Sequence, residues 1–363
     1  MSITKKATAL ALGLGLVTVP ALTACGASDE GSTRGGGSRT VTLVSHDSWA
    51  ASKDVIAAFE KQSGYQVKVL KSGDAGQAVN KALLTKDHPQ GDVFFGVDNT
   101  LLSRALDNGL FQPYRAQGLD RVGAQYQLDA DRHRVTPVDY GDICVNYDKK
   151  YFADHELAPP ATFDDLIKPA YKDLLVTENA ATSSPGLGFL LGTAARYGDG
   201  RWQDYWKKLK ANGVQVVDGW EQAYNEDFSG SAGGKQAKAD RPLVVSYASS
   251  PPAEVIYGDP KPSTAPTGVA KGTCFRQIEF AGLLSNAGNP EGGKAFIDFL
   301  LTKRFQQDMP LNMFVYPVVD GVQVPAEFTK YGPPAEDPET MTPARIADHR
   351  DAWVKSWTSL VLK

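Results

Sequence analysis

Side chains able to do metal or acid–base chemistry are sparse in this sequence. Its five histidines, His46, His88, His133, His155 and His349, include no pair at metal-ligand spacing. No His-Glu-x-x-His, Cys-x-x-Cys or acidic calcium loop appears. Gly186-Leu-Gly-Phe-Leu-Leu-Gly has the wrong spacing for a dinucleotide fingerprint, and the glycines around Ser231 are misplaced for a nucleophile elbow. Binding chemistry is better served. Asp47-Ser48-Trp49 and Gly73-Asp74-Ala75-Gly76 each follow a strand-like run, the place where open α/β sheets receive ligands. For Asp47-Ser48-Trp49 a plain helix cap is the competing role. Thr182-Ser183-Ser184-Pro185 precedes a helical run, where hydroxyls and backbone N–H groups suit an anion or simply cap the helix. Gly219-Trp220 and Ser246-Tyr247 read as strand ends, and Phe314 and Tyr316 flank a turn before Pro317. Aromatic faces beside a carboxylate suit a flat cation through cation–π contact and ion pairing. Asp139-Tyr140 falls at the first expected crossover between sheet units, with hinge packing as the alternative role.

The elements that must position these residues alternate in type. Arg39–His46 is β-branched and reads as a strand; Val55, Ile56 and Phe59 then recur at helical spacing up to Gly64. Tyr65–Leu70 is a second strand, 78–84 a helix, and Gly91–Val97 a third strand. This β-α-β-α-β order predicts a mostly parallel sheet with right-handed crossovers. A second unit follows: extended Ile143–Tyr147, a short helix at Phe163–Ile167, a strand at Leu174–Thr177 and helices at 188–196 and Trp202–Leu209. Strands at Gln215–Val217 and Leu243–Tyr247 complete it, with 227–241 between them read as a polar surface loop. After Cys274 the pattern returns to strand and helix, with helices at 293–302 and from Pro343 through Trp353 and Trp357. The expectation is an α/β fold of two lobes, each a mixed sheet flanked by helices, joined by crossover strands. Lobe I is discontinuous, residues 40–138 plus 275–363; lobe II is residues 139–274.

The chain has 363 residues, 42% hydrophobic and 22% charged, which is ordinary globular composition and argues against disorder. A net charge of −4 argues against a nucleic-acid face. Residues 1–25 do not belong to the fold. Lys5 and Lys6 precede an apolar run too short to span a bilayer comfortably, and the run ends at Leu22-Thr23-Ala24-Cys25. That ending resembles a lipoprotein signal with Cys25 as the acylated residue; an ordinary cleaved signal or a weak N-terminal anchor is the alternative. Residues 26–39, rich in Gly and Ser, read as a flexible tether. The expected location is extracytoplasmic, lipid-anchored to the outer face of a bacterial cytoplasmic membrane, with no other contact to the membrane. Cys144 and Cys274 sit in strand-like segments of an exported chain, so a disulfide is expected, against two buried free thiols.

These segments together resemble the thiamine-binding periplasmic proteins of ABC importers, members of the two-lobed, type II substrate-binding superfamily. The matching motifs are His46-Asp-Ser-Trp, Gly96-Val-Asp-Asn-Thr-Leu-Leu, Val138-Asp-Tyr-Gly, Thr182-Ser-Ser-Pro-Gly-Leu-Gly, Gly219-Trp-Glu-Gln-Ala-Tyr, Leu243-Val-Val-Ser-Tyr-Ala-Ser-Ser-Pro and Val315-Tyr-Pro-Val. The resemblance implies capture of thiamine or its phosphates in an inter-lobe cleft for a permease and ATPase, by a monomer that needs no cofactor and catalyses nothing. Carried over by position, Asp74, Ala75, Ser183, Ser184, Trp220 and Tyr247 would line the phosphate or hydroxyethyl end. Phe314 would wall the ring system in place of the usual tryptophan. His46 and Ala253 stand where tyrosines are common, with Trp49 and Tyr257 as the candidates to compensate. Ferric-ion and polyamine receptors of the same superfamily are the nearest rivals. A lipid-anchored hydrolase using Ser183 or Ser231 with His46 as base is a remote one.

Overall fold

The computed structural model describes residues 39–363. The leader, Cys25 and nearly all of the tether lie outside the described residues. β1 (Thr40–Ser45), α1 (Lys53–Ser63), β2 (Gln66–Lys71), α2 (Ala75–Leu84), β3 (Val93–Asp98) and α3 (Leu102–Asp107) follow in order. Gly64 closes α1 at φ 76° and donates its N–H to the Glu60 carbonyl, a turn that side chains other than glycine resist. β1 runs parallel to both β2 and β3, as the β-α-β-α-β pattern predicts.

The chain then enters β4 (Thr136–Asp148), thirteen residues long. α4 (Lys149–Asp154), α5 (Phe163–Leu166), β5 (Leu175–Glu178), α6 (Ser184–Tyr197), α7 (Arg201–Ala211), β6 (Gln215–Val217) and α8 (Trp220–Gln222) come next. α9 (Ala232–Ala237), β7 (Leu243–Tyr247) and α10 (Ser250–Ile256) lead into β8 (Thr267–Leu283), seventeen residues long. The rest is α11 (Pro290–Leu300), α12 (Lys303–Met313), β9 (Tyr316–Pro317), α13 (Ala326–Tyr331) and α14 (Pro343–Val361).

Among the described residues the strands join in the order β2-β1-β3-β8-β4-β7-β5-β6, with β9 on β4. The two long strands make this one curled sheet. β8 pairs antiparallel with β3 near its end and with β4 along most of its length, while β4 passes on to β7. Irregular register between Pro137 and Asp139, and between Ile143 and Val145, bends β4 along the way. The fold is mixed α/β and two-lobed: β1, β2 and β3 build one end and β5, β6 and β7 the other, with β4 and β8 crossing between them. Residues of β3 feed opposite cores, alternating up to Phe95 and shifting phase at the irregularity between Phe95 and Val97. Val93 and Phe95 join Phe296 and Phe299, whereas Phe94 and Val97 join the cluster that holds Trp202, Trp206 and Trp357. A sheet apolar on both faces must be covered on both, and helices do so here. Cys144 and Cys274 form a disulfide between β4 and β8, at a site with almost no exposure.

Three local readings need correction. The segment 227–241 is not a surface loop throughout: Phe228 and Ser231 are fully buried, and Ser231 caps α9 by accepting the Gly234 N–H. Its glycines mimic a loop, but Gly233 and Gly234 lie against the backbone of Asn225 and Phe228, where a Cβ would clash. Trp220 does not end a strand; it opens α8, which continues as a π-turn through Asp227. α12 went unrecognised because it is polar and carries Pro310 inside.

Candidate functional site

A cleft lies where the strand ends of the two lobes meet. Its inner part holds about 60 Å³ of free space and is lined by His46, Asp74, Ser184, Trp220, Tyr247 and Phe314, with Gln277 and Glu279 from β8. An outer part of about 380 Å³ adjoins it through Ser48, Trp220, Ser250 and Phe314, and adds Asp47, Trp49, Glu254 and Tyr257.

Each wall is positioned by a backbone device. Asp74 is the N-cap of α2, where its Oδ1 accepts the Ala75 N–H at 2.6 Å. Its Oδ2 reaches the other lobe, accepting from the Trp220 N–H at 2.8 Å and from Ser183 Oγ at 3.1 Å. Asp47 clips two loops together: its N–H donates to the Gly73 carbonyl and its Oδ1 accepts the Gly73 N–H, each at 3.0 Å. Ser48 Oγ donates to Glu221 across the cleft at 2.7 Å. The Trp220 ring stacks on Tyr224 at 5.0 Å and donates Nε1–H to Ser246 Oγ at 2.9 Å. That face is therefore held rigid before any ligand arrives. On the opposite wall Phe314 ends α12 at φ 56°, a conformation that a bulky side chain adopts only under constraint. The Phe314 carbonyl accepts from Ser249 Oγ, and its ring meets Tyr257 edge-on at 5.7 Å.

The sequence-derived residues are mostly brought together. His46, Asp74, Ala75, Ser184, Trp220, Tyr247 and Phe314 face the inner cleft, and Asp47, Ser48 and Trp49 the outer. Ser183 and Asp139 sit one layer behind, each about 1% exposed, Ser183 donating to Asp74 and Asp139 packed against Glu279. Of the candidates to offset His46 and Ala253, Trp49 and Tyr257 line the outer cleft only; Tyr257 is 56% exposed and donates to the Leu311 carbonyl. Sequence reasoning missed Gln277, Glu279, Ser250 and Met313. Gln277 and Glu279 read as the outward face of an alternating strand, and the only signal for them was the neighbouring Cys274 segment.

Electrostatically the inner cleft is acidic. Burial is the main cause holding Asp74 above the usual carboxylate range, against the hydrogen bonds from Trp220 and Ala75 that pull it down. Glu279 is pushed up to about 8, first by burial and then by the Asp98 carboxylate. His46 lies 3.3 Å from Glu279, yet burial lowers its pKa, so its ring is neutral at pH 7. Burial also raises the Tyr247 phenol well above its ordinary value. Neither serine of the hydrolase alternative meets His46: Ser183 donates to Asp74, and Ser231 to the Tyr224 carbonyl.

Two sheet ends that share long crossing strands and close on a cleft of aromatic faces over carboxylates define a receptor for a small solute. The chain belongs to the family of bacterial extracellular solute-binding proteins, whose pattern matches residues 54–336. It is similar to the thiamine-binding periplasmic proteins of Salmonella typhimurium and Escherichia coli. Each is 30% identical over 325 residues, covering 88% of this chain and 93% of the relative. Among solved structures, a periplasmic thiamin binding protein superposes with TM-score 0.76 at 28% identity, covering 89% of this chain and 96% of that one. A ferric binding protein from Campylobacter jejuni, at 16% identity and TM-score 0.69, shares the fold.

Proposed function

We propose that this protein captures thiamine, or its phosphates, outside the cytoplasm and delivers it to the permease and ATPase of an ABC importer. The observation that carries this reading is the inner cleft itself. Trp220, Tyr247 and Phe314 offer ring faces, Asp74 and Glu279 offer carboxylates, and the only basic side chain among the lining residues is the neutral His46. That set suits a flat organic cation, and it agrees with the ligand named for the relatives. Residues 40–138 with 275–363, and residues 139–274, act as the two lobes. They close over the ligand as β4 and β8 bend, and Ser48–Glu221 and Asp74–Trp220 latch the closed form. The protein works as a monomer. Acylation of Cys25 ties it to the outer face of the membrane, which intact mass of the mature chain checks.

The test is calorimetric titration of thiamine, then its mono- and diphosphate, into protein that has been unfolded and refolded to strip bound ligand. One-to-one binding of any of the three supports the reading, and their ranking gives the preferred phosphorylation state. Absence of heat with all three removes thiamine and directs the search to ferric ion, which would add a visible charge-transfer band, and to polyamines.

A further inference from the structure

Three carboxyl groups stand abreast beneath the inner cleft. Glu279 of β8 is paired with Asp98 of β3 on one side and with Asp139 of β4 on the other. Directly opposed residues of antiparallel strands share a face, and like charges there repel. The sheet treats its three acids differently. Asp98 accepts from the Thr100 N–H and hydroxyl, the Leu101 N–H, the Ser184 hydroxyl and the Gln277 amide. Asp139 has nothing comparable: it is 1% exposed, and its Oδ2 is buried without a hydrogen-bond partner. Burial foremost, then the neighbouring Glu279, lifts Asp139 well above the carboxylate range, so Asp139 keeps its proton at neutral pH. Of the three, Glu279 alone lines the cavity, with its side chain 12% exposed.

Among the described groups that act on Glu279 none is an ionised base, and Arg350 of α14 acts on Asp98 alone of the three acids. The groups around Glu279 are Asp98 of β3, Asp139 of β4, Asp74 at the start of α2, Tyr247 of β7 and His46 after β1. Glu178 of β5, buried with neither carboxyl oxygen partnered, acts on Tyr247 from behind. Asp47 and Lys71 act on His46 from the rim, and the Lys71 ammonium is turned to the Asp47 carbonyl at 2.6 Å. His46 Nε2 is itself buried, without a hydrogen bond of good geometry. A positive charge entering the cleft is the missing member of this arrangement.

We infer that Glu279 selects for positive charge by exchanging its proton for the ligand's cation, so that ligand capture releases about one proton to solvent. The inference rests on the reading of the ligand as an organic cation. With its pKa near 8, Glu279 carries a proton in the empty protein at neutral pH. An adjacent cation favours the carboxylate and draws that pKa down. The bound form then holds fewer protons than the free one, so affinity rises with pH up to about 8 and levels off above it.

The experiment is calorimetry of thiamine binding to the intact protein near pH 7, in buffers of different ionisation enthalpy, repeated from about pH 6 to pH 9. The charge of thiamine sits on a quaternary nitrogen that has no proton to lose near neutral pH. The expected result is release of close to one proton, with Kd tightening up to roughly tenfold per pH unit below about 8 and no further above it. E279Q, which keeps the side-chain shape, should bind at least roughly tenfold more weakly, with heats independent of buffer and affinity independent of pH. Its melting temperature shows that the fold survives. Release in H46N should persist, which assigns the proton to Glu279 and not to the histidine. Binding of thiamine without proton release, or release that persists in E279Q, overturns the inference and leaves the thiamine reading standing. Failure of the wild-type protein to bind thiamine overturns that reading and the inference with it.

Discussion

Trp220 is the residue on which the most contacts of the cleft converge. Its ring lines both inner and outer parts, its N–H groups hold Ser246 and Asp74, and its face is braced by Tyr224. Trp220→Ala should weaken binding by about 1–3 kcal/mol, roughly 5- to 150-fold in Kd, as titration would read. The ring is only half-buried, so thermal unfolding should move little; unchanged affinity would remove Trp220 from the site. Residues like this one were legible because they stand in short motifs with capping chemistry in the turns that follow strands, as Asp47 and Asp74 also do. Glu279 was not. In Gln277-Ile-Glu-Phe it occupies the polar phase of an alternation that ordinarily faces solvent, and only the curl of the sheet turns that phase inward. Ser183 illustrates the reverse: its motif was visible, but that its hydroxyl would be spent on a carboxylate from the other lobe depends on tertiary contact.

The elements were read best where periodicity was strong and least well where a long strand changes neighbours. β6 and β7 lie where the apolar runs predict. β8 was seen only from Thr273, because Lys271-Gly272 interrupts its pattern, yet the strand continues through them to Thr267. The disulfide pins this stretch to β4, closing a separation of 130 residues. Chain-entropy reasoning assigns a loop of that size about 4–5 kcal/mol. The double substitution of Cys144 and Cys274 to Ala should therefore lower the urea midpoint by an amount equivalent to several kcal/mol. Equal midpoints with and without the bridge would refute that role. Because both sulfurs are buried, reductant should act on the native protein only after it opens.

At the scale of the whole molecule, contacts join the two lobes on both sides of the crossing strands. In front, Ser48–Glu221 and Asp74–Trp220 cross the cleft. Behind, α14 packs Trp353 and Trp357 against Trp202 and Trp206 of α7, while Asp351 reaches Arg104 of α3 in the other lobe. A helix anchored to both lobes permits rotation about its own line more readily than translation of one lobe away from the other. Ligand should thus reduce the radius of gyration in solution scattering. It should also stabilise against heat by about 4 kcal/mol at a thousandfold excess over Kd. A radius that does not change on saturation would sink the hinged-clamp description while leaving binding untouched.

The place of β8 also bears on when the protein can fold. It stands between β3 and β4, so the sheet has a gap at its centre until the chain has been made through Leu283. The lobe begun at Thr40 must wait for nearly 250 residues, a separation that slows folding because loop closure precedes any reward. An N-terminal segment emerging from synthesis therefore has no complete sheet to settle into. For a protein that works beyond the membrane such a delay is an asset: a chain without its complete sheet until most of it exists is easier to thread, and the native state then forms on the side where its solute is found.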